Sequence, residues 1–286
     1  MSDASTCDSN LACGQLGNRV SGAWASATFD ELAAILGEPN GTNAADTGIT
    51  FPVRHLKPGE TLCRAGDEFE ALYAVRSGFM KLVSVDATGN AQVLSFPMRG
   101  EVIGLDSLEP RQYTADAIAL DTCHVVAVSF ERIASLGRRI PGVERLMYSS
   151  FSREVARRQD TIRLLGMLGA EAKVAAFLLD ISKRFGQLGC SRSSFVLRMT
   201  REELGSYLGI TLETVSRALS SFAAMGLIAV DRRKVILRDT QGLRSILEPR
   251  ARERPRPSTL PRRTVASLDL TVVAAHQLVP ESLVAS

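Results

Sequence analysis

The stretch from Thr200 to Gly226 limits the fold of this chain more than any other. Thr200 stands three residues before Glu203, a capping-box pair, and Leu204, Tyr207 and Leu208 give the helix that follows an inward face. Gly209 stops that helix. Thr211 caps a second one, in which Val215, Leu219 and Phe222 point inward while Glu213, Ser216 and Arg217 lie on another side. Next, Leu227–Arg238 places two apolar runs around a charged turn, the pattern of a β-hairpin. Two short helices followed by a hairpin predict a helix-turn-helix with a wing. Its polar face suits a DNA major groove: Arg reaches O6 and N7 of guanine, Glu accepts from N4 of cytosine, and Ser serves either. A helical hairpin whose polar face is merely solvated is the competing reading, and the wing weighs against it. The candidate DNA contacts are Arg201, Thr211, Glu213, Thr214, Ser216 and Arg217, with Arg232, Arg233 and Lys234 at the wing tip placed for phosphate oxygens.

Charge supports this placement. The 286 residues carry a net +3, but Arg198–Arg238 holds seven basic and four acidic residues and Arg244–Arg263 seven basic and two acidic. A basic C-terminal part on an acidic remainder fits a DNA-binding module joined to something else, and the length predicts about two domains with their own cores. No run of about 18 apolar residues is present and no basic segment followed by an apolar one opens the chain, so a cytoplasmic protein is expected. Five cysteines point away from a disulfide framework and leave buried thiols, metal ligands and redox sensors open. Without paired carboxylates, a nucleophile elbow or a phosphate loop, no enzyme is expected. His55, His124 and His276 are too far apart in sequence to propose a metal or haem site.

In chain order, residues 1–50 are rich in small and polar types and predict a mobile arm, with Cys7 and Cys13 in it and one helical signal at Phe29–Leu36. Residues 51–137 hold short apolar runs broken by turns: strands at 71–75, 80–85, 92–96 and 124–128 predict an antiparallel β-roll or jelly roll. A helix spans 138–167 from Pro141, with Val143, Met147, Phe151, Val155, Ile162 and Leu165 along one stripe, and predicts pairing with a second copy in a two-fold dimer. Residues 168–241 form the winged helix-turn-helix, opened by a helix over 171–185. Proline and arginine crowd 242–286, where a largely disordered basic tail is expected. The fold class is thus α+β: an N-terminal double-stranded β-helix sensor, a long helix and a winged helix-turn-helix.

Thr200-Arg-Glu-Glu-Leu-Gly-Ser-Tyr-Leu-Gly209 with Thr211-Leu-Glu-Thr-Val-Ser-Arg217, together with Ala65-Gly-Asp67 and Leu72-Tyr-Ala-Val-Arg-Ser-Gly78, resembles the Crp/Fnr family of transcription regulators, Fnr branch, over about residues 51–245. The resemblance implies a homodimer on double-stranded DNA, with Glu213, Ser216 and Arg217 reading inverted TTGAT-like half-sites, and RNA polymerase as a partner. Nucleotide-binding members carry Gly-Glu for the ribose and Arg-Ser/Thr-Ala for the phosphate. Here Gly104-Leu105-Asp106 and Tyr113-Thr114-Ala115 stand in those places, Arg111 is two residues off, and cyclic AMP is not expected. Oxygen-sensing members hold a [4Fe–4S] cluster with three N-terminal cysteines spaced C-x2-C-x5-C and one cysteine in the roll. Cys7 and Cys13 keep the C-x5-C half, Ala4 replaces the first cysteine, and Val126 stands at the roll position with Cys123 three residues earlier. Cys7, Cys13, Cys63 and Cys123 are the candidate ligands; the competing reading makes Cys63 and Cys123 core residues, and a thiol switch that includes Cys190 is a third. Where oxygen-switched members carry an acidic residue on the long helix, Arg158 stands here and would face its own copy across the two-fold. A β-roll adaptor using its C-terminal helices for protein contacts is the alternative function.

Overall fold

The computed structural model describes residues 26–37, 49–86, 88–138, 141–167 and 169–247, all within a compact unit spanning residues 1–248; Cys7, Cys13, His276 and the basic tail from residue 248 onward lie outside them. The N-terminal part is a roll of two antiparallel sheets. Strands β1 (Ser26–Thr28), β2 (Thr50–Leu56), β4 (Leu72–Ser77), β7 (Val102–Ile103) and β9 (Cys123–Val128) form one in the order β1-β2-β9-β4-β7. The other, in the order β3-β8-β5-β6, uses β3 (Thr61–Cys63), β5 (Met80–Val85), β6 (Ala91–Ser95) and β8 (Asp116–Ala119).

Ordered structure begins before residue 51. Strand β1 pairs with β2, and helix α1 (Phe29–Ile35) has a capping box between Thr28 and Glu31 and buries Phe29, Leu32, Ala33 and Ile35. These residues belong to the core and not to a mobile arm, because the short helix presents four apolar side chains that the roll, with Val143 and Leu146, covers. Helix α2 (Phe130–Gly137) follows the roll.

Helix α3 (Pro141–Met167) is the expected long helix. Its first turns depart from the predicted dimer stripe. Val143 and Leu146 are buried with Phe29, Phe51 and Val126, so Val143 is a core residue of its own chain. Met147, Phe151 and Leu165 are half-buried, whereas Val155 and Ile162 are 54% and 70% exposed. One apolar stripe thus serves two surfaces along its length. Tyr148, 65% exposed, stands seven residues before Val155, which stands seven before Ile162. That heptad spacing is the pattern a paired helix needs.

Helix α4 (Ala170–Gln187) supports α5 (Arg201–Leu208) and α6 (Leu212–Ala224), and a three-stranded sheet β10-β12-β11 completes the domain from Ser194–Val196, Lys234–Leu237 and Ile228–Asp231. Strand β10, three residues long, is too short for an alternation to register in the sequence. Helix α7 (Thr240–Ser245), capped by Asp239, buries Leu243 completely, which carries the ordered domain past residue 242. The roll keeps a core of its own around Tyr73, Val75, Met80 and Val125, and the two halves also share a second one. Phe79, Val83, Val93, Phe96 and Met98 of the roll lie in one apolar cluster with Val174, Phe177, Leu178, Phe185, Leu204 and Phe222. Aromatic edges join them, Phe96 lying 6.2 Å from Phe177 and 5.3 Å from Tyr207.

Candidate nucleic-acid interface

The turn between α5 and α6 is fixed by short-range chemistry. Thr200 accepts from the Glu203 amide, the Glu203 side chain accepts from the Thr200 amide, and Gly209 adopts the left-handed cap at φ 63°. Thr211 then accepts from the Thr214 amide to start α6. Gly205 makes the close crossing possible, since a Cβ there would sit 2.7 Å from the Ile210 carbonyl oxygen. Gly205→Ala is expected to destabilise the fold by about 1–3 kcal/mol, measured by urea unfolding, because a backbone atom cannot swing aside as a side chain can.

Val215, Ala218, Leu219 and Phe222 bury the inner face of α6, which turns Glu213 and Arg217 outward to solvent and leaves Ser216 half-buried. Two of these side chains are held. Arg217 donates to Thr214 Oγ1 at 3.3 Å, and Arg201 at the start of α5 donates to Ser216 Oγ at 3.2 Å. The Glu213 carboxyl is held below its usual range by hydrogen bonding to its own amide and then to Thr211, so it is an acceptor at neutral pH. Arg232, Arg233 and Lys234 are exposed at the wing turn, Arg232 at φ 53°. A hollow of about 320 Å³ between wing and helices is lined by Thr200, Arg201, Arg232 and Arg233 among others. The nine predicted DNA contacts therefore fall on α5, α6 and the wing turn, with Thr211, Glu213 and Arg217 exposed and Thr214 half-buried.

The first helix of this unit is also clasped by the roll. Lys81 of β5 reaches Glu203 at 2.7 Å, the Val93 amide of β6 donates to Ser206 Oγ at 2.9 Å, and Gln92 donates to the Ser206 carbonyl. Burial raises the Glu203 carboxyl, but the Lys81 bond and charge together with the hydrogen bonds from Thr200 outweigh it and hold the group below its usual range. Elsewhere, charges alternate from the roll to α4. Asp106 pairs with Arg158 at 3.0 Å, Arg158 with Glu154 at 3.0 Å, Glu154 with Arg157 at 3.4 Å, Arg157 with Glu101 at 3.7 Å, and Glu101 with Arg184 at 2.8 Å. Burial pushes the Glu101 carboxyl up, against the pull of Arg184 and Arg157. Arg158, expected from sequence to face its own copy, is engaged within its own chain by Glu154 and Asp106.

The residues at the nucleotide positions do not fit a cyclic nucleotide. Tyr113 is buried in place of the phosphate arginine, its hydroxyl donating to the Ala71 carbonyl at 2.8 Å and accepting from the Ala71 amide at 3.2 Å. Arg111 is exposed, and Asp106 is committed to Arg158. Of the four candidate iron–sulfur ligands, Cys63 and Cys123 lie among the described residues and are core residues there. Both are buried in the roll's core, where Cys123 Sγ donates to the Phe79 carbonyl at 3.1 Å, and that burial pushes Cys63 up to about 12 and Cys123 up to about 11, so without a metal both are neutral thiols. Among the described residues no three His, Cys, Asp or Glu side chains converge as metal ligands. The histidines far apart in sequence do meet: His55 and His124 face each other across β2 and β9, rings 4.9 Å apart, with Ser77 Oγ 3.0 Å from His124 Nδ1. Burial and then His55 lower the His124 value, which favours neutral imidazole. No helix among the described residues is long and apolar enough to cross a membrane.

Comparison with known proteins matches the same regions. A family model for the Crp-like helix-turn-helix domain covers residues 172–246, and one for the cyclic nucleotide-binding domain covers 53–139. The transcriptional regulatory protein btr of Bordetella pertussis is 38% identical over 192 residues, 67% of this chain and 79% of that protein. The fumarate and nitrate reduction regulatory protein of Escherichia coli K12 is 36% identical over 188 residues, 66% of this chain and 75% of the relative. Among solved structures, FixK2 from Bradyrhizobium japonicum superposes with a TM-score of 0.63 at 27% identity, covering 69% of this chain and 98% of FixK2.

Proposed function

The chain belongs to the Crp/Fnr family of DNA-binding transcription regulators, and from that premise we propose that it acts as a homodimer on an inverted-repeat operator with TTGAT-like half-sites. The observation that carries this reading is the outer face of α6, where Glu213, Ser216 and Arg217 project from a helix anchored by four buried apolar residues. Arg201, Thr211 and Thr214 flank that face, and Arg232, Arg233 and Lys234 extend the positive surface to the backbone. The exposed heptad of Tyr148, Val155 and Ile162 supports a two-fold axis along α3, which would set two recognition helices one helical turn of DNA apart. RNA polymerase is the partner that the family implies. Titrating the protein into a duplex with two inverted TTGAT half-sites, and into a scrambled one, tests the reading. Selective binding that weakens steeply with salt is expected, because several phosphates release counterions. Equal, weak binding of both duplexes would favour the adaptor function.

The signal is read without a cluster on the roll's cysteines. Oxygen-responsive regulation is the reading that the similarity to the fumarate and nitrate reduction regulator favours, and the roll's buried thiols are not its ligands. Protein purified without oxygen should have the same visible absorption and iron content when Cys63 or Cys123 is replaced by alanine. A loss of iron or colour in either variant would overturn this.

A further inference from the structure

His55 and His124 lie at the rim of a face that the fold otherwise covers. Val53 faces Val126 across β2 and β9, on the side of the sheet packed by Phe29 and Leu32 of α1 and by Val143 and Leu146 of α3, and two residues further along β2 His55 faces His124. Val126 is buried, His124 half-buried and His55 exposed, so the covered face ends at the two rings. Their centroids are 4.9 Å apart and the rings are inclined at 62°. A metal ion bound by two imidazoles stands about 2.0–2.1 Å from each nitrogen, which places the centroids roughly 4.5–5.2 Å apart for bond angles between about 90° and tetrahedral. The spacing already present falls in that range, so neither strand has to move.

We propose that His55 and His124 form a two-histidine site for a divalent transition metal of the kind imidazole selects, zinc, copper or nickel, with Ser77 accepting from His124 Nδ1 and so presenting Nε2 to the ion. Ser77 of β4 is the register partner of His124 on its other side, with Oγ 3.0 Å from Nδ1. Binding needs neutral imidazole, the form that burial and then His55 favour at His124. Arg76 also acts on His124, but it is paired with Glu31 at 3.3 Å, which offsets part of its charge. No third His, Cys, Asp or Glu joins the pair among the described residues, which leaves the remaining positions to water. Magnesium, which seeks oxygen ligands, is refused. A bound ion would tie β2 to β9 beside the N-terminal helix.

The full chain has three histidines, so their ring signals in proton–nitrogen NMR spectra can be assigned by replacing them one at a time. During titration with zinc chloride the His55 and His124 signals should move together and saturate at one zinc concentration, while magnesium moves neither. Zinc taken up by cysteines would leave both signals in place. In His55→Gln the zinc affinity read at His124 should fall by about tenfold or more, with the reciprocal loss in His124→Gln, and Ser77→Ala should weaken zinc by about tenfold with both rings still responding. Circular dichroism of each variant checks that the roll is folded. Rings that saturate at different zinc concentrations, or a His124 response unchanged in His55→Gln, would show two independent histidines and overturn the site. A wild-type protein whose two rings ignore zinc altogether overturns it equally.

Discussion

Replacing Glu101 by alanine is expected to lower stability by about 3–5 kcal/mol, because it leaves a buried guanidinium without its main counter-ion. The Arg184 side chain is 16% exposed and that of Glu101 11%. Burial works to lower the Arg184 value, but Glu101 and then Asp180 outweigh it, so the group stays charged in the folded state. What remains to Arg184 is weaker: its Nη2 donates to the Phe96 carbonyl, its Nη1 lies 3.6 Å from the half-exposed Asp180, and its Nε is buried without a partner among the described residues. Arg157 loses its contact to Glu101 in the same step. Urea unfolding followed by circular dichroism measures the loss. Glu101→Leu combined with Arg184→Met should recover most of it, since neither member of the buried pair is then left without its partner. A double variant less stable than Glu101→Ala would contradict this account.

Arg217→Ala should reduce preference for the inverted TTGAT duplex over a scrambled one by about 10- to 100-fold, the range for one bidentate base contact. The salt slope should hardly change, since a base contact releases no counterion, whereas Lys234→Ala should lower the slope by about one unit and leave preference intact. Fluorescence anisotropy at several salt concentrations separates the two effects. If Arg217→Ala weakened both duplexes equally, α6 would not be the reading helix.

Features with short-range causes were legible in the sequence. The Thr200–Glu203 capping box, the Gly209 stop, the Thr211 cap and the strand Met80–Val85 all lie where local periodicity and turn chemistry put them. Helix α3 starts at Pro141 for the same reason. The rest depends on which surfaces meet. Val143 and Val155 occupy the same kind of position in the apolar stripe, yet one is fully buried under the roll and the other 54% exposed. Periodicity reports that a face needs cover and not what covers it. Asp106 and Arg158 are similarly distant in sequence, and so are His55 and His124; strand register and helix docking bring each pair together. The heptad from Tyr148 to Ile162 is a seven-residue period visible in the sequence itself, superposed on the steps of three and four.

The contact between β6 and the first helix of the DNA-binding unit also bears on aggregation. Strand β6 is the outer strand of its sheet, with Leu94 42% exposed, and an unpaired outer strand is a template on which another chain can add. In the intact protein Ser206 takes up the Val93 amide and closes that edge. A roll cut off before residue 168 would lose this cover together with the apolar partners of Phe79, Val93, Phe96 and Met98. The sensor therefore owes part of its solubility to the helix that positions the DNA reader.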